Sequence, residues 1–221
     1  MALYSLNGAY PTTLPHRIVL SDGRTRTDSS TFTNEELADA GYVSVPDKPT
    51  PGLYQEVEWD GSSWSVVDYS DNDMRRLAQQ ARNNVPAARW EKEVSNIIWQ
   101  DSDNRSYIID NSVESQRKIA SVQTAINTGI REDNQVWKIY AIGNDSDTIP
   151  SGIIYRTTKN SELQQWSDLV LRKVQICFNT EKEVIEMMDS DISAGNYLKA
   201  IETSYDSAFN VNITAAGIVM A

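Results

Sequence analysis

The stretch "YIIDNSVESQRKIASVQTAI", residues 107–126, passes from a short apolar run to an amphipathic pattern within a few residues. Asn111 reads as an N-cap with Glu114 three residues on, and Ile119, Val122 and Ile126 fall on one helical face. Upstream, "IIWQDSDNRSYIID" (97–110) reads as two short strands around a polar turn. The unit is therefore a strand that delivers a helix onto a small sheet. The theme recurs downstream, where "VWKIYAI" (136–142) and "GIIYRTT" (152–158) read as a strand pair across "GNDSDTIPS". Ser161 with Gln164 then reads as a capping box opening the longest helix. Its apolar positions Leu163, Trp166, Val170, Val174, Cys177, Val184 and Met188 follow a helical period.

Working outward, residues from Asp71 also read as helix, with Met74, Leu77, Ala78, Ala81 and Val85 on one face. Pro86 must either kink this helix or open a second one. Trp90, Val94 and Ile97 or Ile98 continue the apolar stripe, while Arg75, Arg76, Arg82 and Arg89 read as its wet side. The first seventy residues form a different pattern. HRIVL (16–20) and YVSV (42–45) read as strands, and Thr33 with Glu36 is a capping box for a short helix ending at Gly41. "PDKPTPG" (46–52) reads as a stiff, extended linker. "YQEVEWDGSSWSVVD" (54–68) is a hairpin turning at Asp60-Gly61. After "DSDISAG", one more helix carries Tyr197, Ile201 and Tyr205, and "NVNITAAGIVMA" either packs on a neighbour or frays. The expected fold class is α+β. A small β-rich N-terminal module (1–70) precedes an α+β domain of long helices packed on short antiparallel strands (71–190), and a C-terminal helix and tail follow (191–221).

Composition excludes several roles. At 221 residues the chain can bury a real core without disulfides or metal. Its one cysteine, Cys177, rules out an internal disulfide and a multi-cysteine zinc site, and suits a reducing cytoplasm. Neither a secretory signal nor an apolar run of membrane-spanning length is visible, so the triplets at Asn104, Asn144 and Asn212 carry no weight as glycosylation sites. With 20 Lys and Arg against 31 Asp and Glu, the net charge of −11 argues against general nucleic-acid binding.

The residues that carry chemistry do not assemble into a site. Asp-Ser-Asp recurs at 101–103, 145–147 and 189–191, and all three read as solvated turns. "DSDISAG" comes nearest a calcium loop, but its twelfth position is Ala200 instead of a bidentate Glu. His16, the only histidine, lies in an apparent strand with no G-x-S-x-G elbow to serve. Cys177 reads as a buried, inert thiol. Glu35-Glu36 and Glu181/Glu183 read as solvated helix faces, not as a paired acid and base. The expectation is no catalytic, metal or cofactor site. Core packing accounts for most of the six Trp and ten Tyr, and the Trp-bearing hairpin is the first candidate for docking. Tyr54, Trp59, Trp64, Tyr205 and Phe209 are the expected interface residues.

Taken in order, "YIIDNSVESQRKIASVQTAI", "VWKI" and "SELQQWSDLVLRKVQICFNTEKEVIEMM" resemble the DUF4376 family found in tailed-phage genomes. Asp110, Ser115, Gln116, Trp137, Gln175 and Phe178 stand at the corresponding places, and the resemblance covers about residues 72–190. The longer "GNDSDTIPSG" departs from the family's tight connections. At the front, "LPHRIVLSDGRTRTD", "FTNEELADAGY" and "VEWDGSSWSVVD" are similar to the leading segments of small tail and tail-fibre assembly proteins. The resemblance implies a non-enzymatic virion component of the tail or its fibre attachment, made in the host cytoplasm. It would be present in several copies and bound to other tail or tail-fibre proteins. A fibre-assembly chaperone absent from the mature particle is the alternative it allows. A glycan hydrolase would need two carboxylates across a cleft, for which the sequence carries no signal.

Overall fold

The computed structural model describes residues 2–143 and 152–221. The chain has two compact units, Met1–Met74 and Arg75–Ala221. Helices and short antiparallel strands are mixed along the chain, an α+β fold.

The first unit is built from three two-stranded pieces. β1 (Leu3–Leu6) pairs with β4 (Tyr42–Val45), and β2 (Arg17–Val19) pairs with β3 (Thr25–Thr27). The capping box at Thr33 and Glu36 opens α1 (Asn34–Asp39), and Gly41 takes the left-handed φ of +84° that ends it. Ile18, Leu20 and Leu37 make a small core with Tyr4, Phe32 and Tyr42 packed on it. β5 (Gln55–Trp59) and β6 (Trp64–Asp68) form the hairpin at Asp60-Gly61. The 46–52 segment lies inside this unit. Its Pro46 carbonyl accepts the Trp64 indole N–H at 3.0 Å, and Gly52 N–H bonds the Gln55 side chain.

α2 (Asp71–Glu93) runs through Pro86 as one helix. β7 (Ile97–Gln100) and β8 (Ser106–Ile109) follow, then α3 (Val113–Asn127), β9 (Gln135–Ala141), β10 (Gly152–Thr158) and α4 (Asn160–Ser193). α5 (Tyr197–Glu202), α6 (Tyr205–Ala215) and β11 (Val219–Met220) complete the chain. Two helices thus stand where one was expected, and the terminal residues form a strand pairing with β7. The sheet order is β10-β9-β8-β7-β11, antiparallel throughout. The second Asp-Ser-Asp and most of its loop lie outside the described residues. The third is helical, inside α4, and Asp191 is buried against Lys199 at 2.9 Å.

α4, about 50 Å long at 1.5 Å per residue, is the spine of the core. Trp166 meets Trp99 and Trp137 edge-on, with ring centres 5.3 and 6.3 Å apart. Val170, Cys177, Val184 and Met188 bury the rest of the stripe against Tyr205, Phe209 and Ile213. Two caps differ from expectation. Ser112, not Asn111, caps α3 by accepting the Ser115 N–H. Glu162 opens α4 by reaching back to the Lys159 N–H at 2.8 Å, while Asp133 takes the Asn160 N–H at 2.7 Å.

Asn111 is fully buried and spent elsewhere. Its amide donates to the Glu93 carbonyl at 2.5 Å, at the C-terminus of α2. Lys173 from α4, also fully buried, donates to the carbonyls of Glu93 and Ser95 and to Ser95 Oγ. A cation and an amide thus satisfy carbonyls that a helix end leaves open. Burial pulls the Lys173 ammonium down to about 8, and the carbonyls around it oppose that pull. The α2 arginines do not face only water. Arg75 reaches the Tyr197 hydroxyl at 2.9 Å, Arg82 pairs with Asp189 at 3.0 Å, and Arg89 pairs with Glu93 and Glu181. Their spacing of seven places all three on one side of the helix.

Candidate functional site

Strand registers decide which side chains share a face, because partners directly opposite one another lie on the same side of a sheet. Val219 stands opposite Ile98, Ile98 opposite Ile108, Ile108 opposite Tyr140, and Tyr140 opposite Ile153. One apolar row therefore crosses all five strands. Tyr155 and Val136 extend the same face along β10 and β9. The opposite face holds Ile97, Trp99, Tyr107, Ile109, Ile139 and Ala141, all buried beneath the helices. The row does not share that cover. Ile153 is 60% exposed, Tyr155 73%, Val136 65% and Val219 58%.

β8 pairs with β9 only at Tyr107 and Ile108, then leaves the sheet after Ile109 to enter α3. β9 continues beyond it as far as Gln135 on the β10 side. The divergence opens a groove of about 810 Å³ lined by Ile108, Ile119, Val136 and Tyr140, with Lys118 and Lys138 among its polar walls. Trp166 also lines it, and its buried indole N–H has no hydrogen-bond partner among the described residues. The groove and the apolar row form one continuous surface, suited to apolar contact.

The expected interface residues lie elsewhere. Tyr205 and Phe209 are core residues, stacked at 6.1 Å, and the Tyr205 hydroxyl donates to the Cys177 carbonyl at 3.1 Å. Neither is open to a partner, because α6 returns its apolar face to α4. Trp59 and Trp64 are half-buried and meet edge-on at 5.1 Å, with Tyr10 against Trp64 at 5.3 Å. The Trp59 indole N–H is spent on the Gly8 carbonyl at 3.0 Å. Lys48 sits over Trp64 and donates to the Tyr10 hydroxyl. The pair knits the first unit together, and Tyr54, half-buried at a left-handed φ of 59°, turns the chain into β5. The sequence signal for this surface is that β9 and β10 carry apolar residues at both odd and even positions, with Lys138 and Arg156 the charged exceptions.

The residues tested for chemistry have structural partners or stand apart. Cys177 is buried, and desolvation pushes its thiol up. His16 is exposed. Glu36 completes the α1 cap and pairs with Arg26 at 2.8 Å, whereas Glu35 is exposed on the first turn. Glu181 pairs with Arg89, and Glu183 accepts from Asn212 at 3.2 Å. Asp101 is buried and takes the Asp103 and Arg105 N–H groups, while Ser102 and Asp103 stay exposed, so the first Asp-Ser-Asp is a solvent-facing turn held by one buried carboxylate. No group of three or more metal-ligating side chains, and no helix long and apolar enough to cross a membrane, occurs among the described residues. No family model, curated protein or solved structure matches the chain.

Proposed function

We propose that this chain is a non-enzymatic docking protein of a tailed phage, a component of the tail or of tail-fibre attachment. The observation that carries the docking role is the apolar row across the five-stranded sheet, left open opposite the closed core face. Contiguous exposed apolar surface marks interaction sites in soluble proteins. The phage context rests on the order of motifs from Tyr107 to Met188 and on the tail-like leading segments. Binding would occur by burying the sheet face and groove, with Lys118, Lys138 and Asp110 supplying polar contacts.

The test is mass spectrometry of gradient-purified particles from cells producing the chain, with peptides counted against the major capsid protein. Stoichiometric peptides are expected. Abundance in the infected lysate with none in the particles would replace the virion role with that of an assembly chaperone. Absence from both would remove the phage reading.

A further inference from the structure

We infer that the open sheet face is covered by a second copy of this chain, packed face to face about a two-fold axis; this deepens the docking reading and rests on it. The first argument is area. Val136, Tyr140, Ile153, Tyr155 and Val219 leave on the order of 600 Å² of residue surface exposed per copy, close to the ~800 Å² per partner of a standard interface. Ile98 and Ile108, half-buried in the middle of the row, fill its centre. The second argument is charge. A chain of net charge −11 repels its own copies, yet the charged residues lining the groove on this face are Asp110, Lys118 and Lys138, with Lys138 opposite Tyr155 on the face itself, and they do not add to the acidic excess. The third argument is shape. Sheets pack face to face about 10 Å apart when side chains from two inner faces interdigitate. A row running from Val219 to Ile153 offers its own copy the same apolar ridge in reverse, as an isologous contact requires.

The experiment is sedimentation equilibrium of the full chain over about 1–100 µM, on the wild type and on Ile153→Glu, Tyr155→Glu and Leu171→Glu. Leu171 is 65% exposed on α4, away from the sheet face, and serves as the charge control. All three positions are exposed, and far-ultraviolet circular dichroism checks that each variant is folded. The expected result is a concentration-dependent dimer whose dissociation constant rises at least tenfold in Ile153→Glu and in Tyr155→Glu, but stays within about twofold in Leu171→Glu. A monomer throughout the range overturns the inference. So does a larger oligomer, or a dimer indifferent to Ile153→Glu. Particle mass spectrometry separates the two readings. A stoichiometric virion protein that stays monomeric sinks only the second copy, whereas a sheet-face dimer missing from particles and lysate sinks only the phage role.

Discussion

On the helix side of the five-stranded sheet, Ile97, Ile109 and Ile139 are sealed beneath α3, α4 and α6, while Ile153, Val136 and Tyr155 on the other side stand in the open. The strands themselves do not make this distinction. β10 places Ile153 and Ile154 side by side, one outward and one inward, and β9 alternates Val136 with Trp137 and Tyr140 with Ala141. An antiparallel sheet meant to face water on one side ordinarily alternates apolar with polar. The helices decide which face is closed, and the other face keeps its apolar side chains exposed. The same strands thus stabilise the fold through one face and expose apolar side chains on the other.

The contrast can be broken first where it is strongest. Trp166→Ala removes the ring that joins Trp99 and Trp137 on the closed face, and should cost about 3–5 kcal/mol in urea or guanidinium unfolding. A loss below about 1 kcal/mol would mean that the inner face is not the core.

Lys173 sharpens the comparison from within the core, through pH. Its folded pKa, about 8, lies below its ordinary value of 10.5. The unfolded chain therefore binds more protons between these values, and stability should rise as pH climbs from 8 towards 10. The gain is on the order of 1–2 kcal/mol, short of the full shift because the unfolded lysine is still largely protonated at pH 10. Above about pH 10 the trend should reverse, since Tyr107 and Tyr205 are pushed up by burial and ionise more readily when unfolded. Unfolding curves at several pH values check this, and Lys173→Met should flatten the rise. A rise of equal size in the Met variant would assign it to another group.

Ser112→Ala comes next, at about 1 kcal/mol, because it deletes the α3 cap. Asn111→Ala should cost more, since it frees a buried helix-end carbonyl from its amide partner. A Ser112→Ala chain as stable as the wild type would restore Asn111 as the cap that the sequence suggests.

That pair illustrates what the sequence made legible. Features fixed by neighbours a few residues apart were readable: the Thr33–Glu36 box, the Asp60-Gly61 hairpin, the strand–helix unit at Tyr107 and the apolar stripe of α4. Features fixed by distant partners were not. Asn111 and Ser112 are both good caps locally, and the Glu93 carbonyl, eighteen residues upstream, decides between them. The α2 arginines look solvated until α4 and α5 supply Asp189, Glu181 and Tyr197. Tyr205 and Phe209 look like anchors until α6 folds back onto α4. The open sheet face escaped notice because double-sided apolar strands read the same whether or not their second face is covered by the chain itself.

The smallest expected effect is the most discriminating. Ile153→Thr, measured at concentrations low enough to keep the chain monomeric, should change unfolding free energy by less than about 0.5 kcal/mol, as substitutions of exposed side chains do. Threonine keeps the β-branch and the strand preference, so the backbone has no reason to respond. At high concentration the outcome should differ. A wild-type chain that dimerises gains stability by mass action as concentration rises, and Ile153→Thr should lose part of that dependence. Thermal or denaturant unfolding at two concentrations tests both halves. A large cost in the dilute sample would show that Ile153 is covered within its own chain, and the two faces of the sheet would no longer differ.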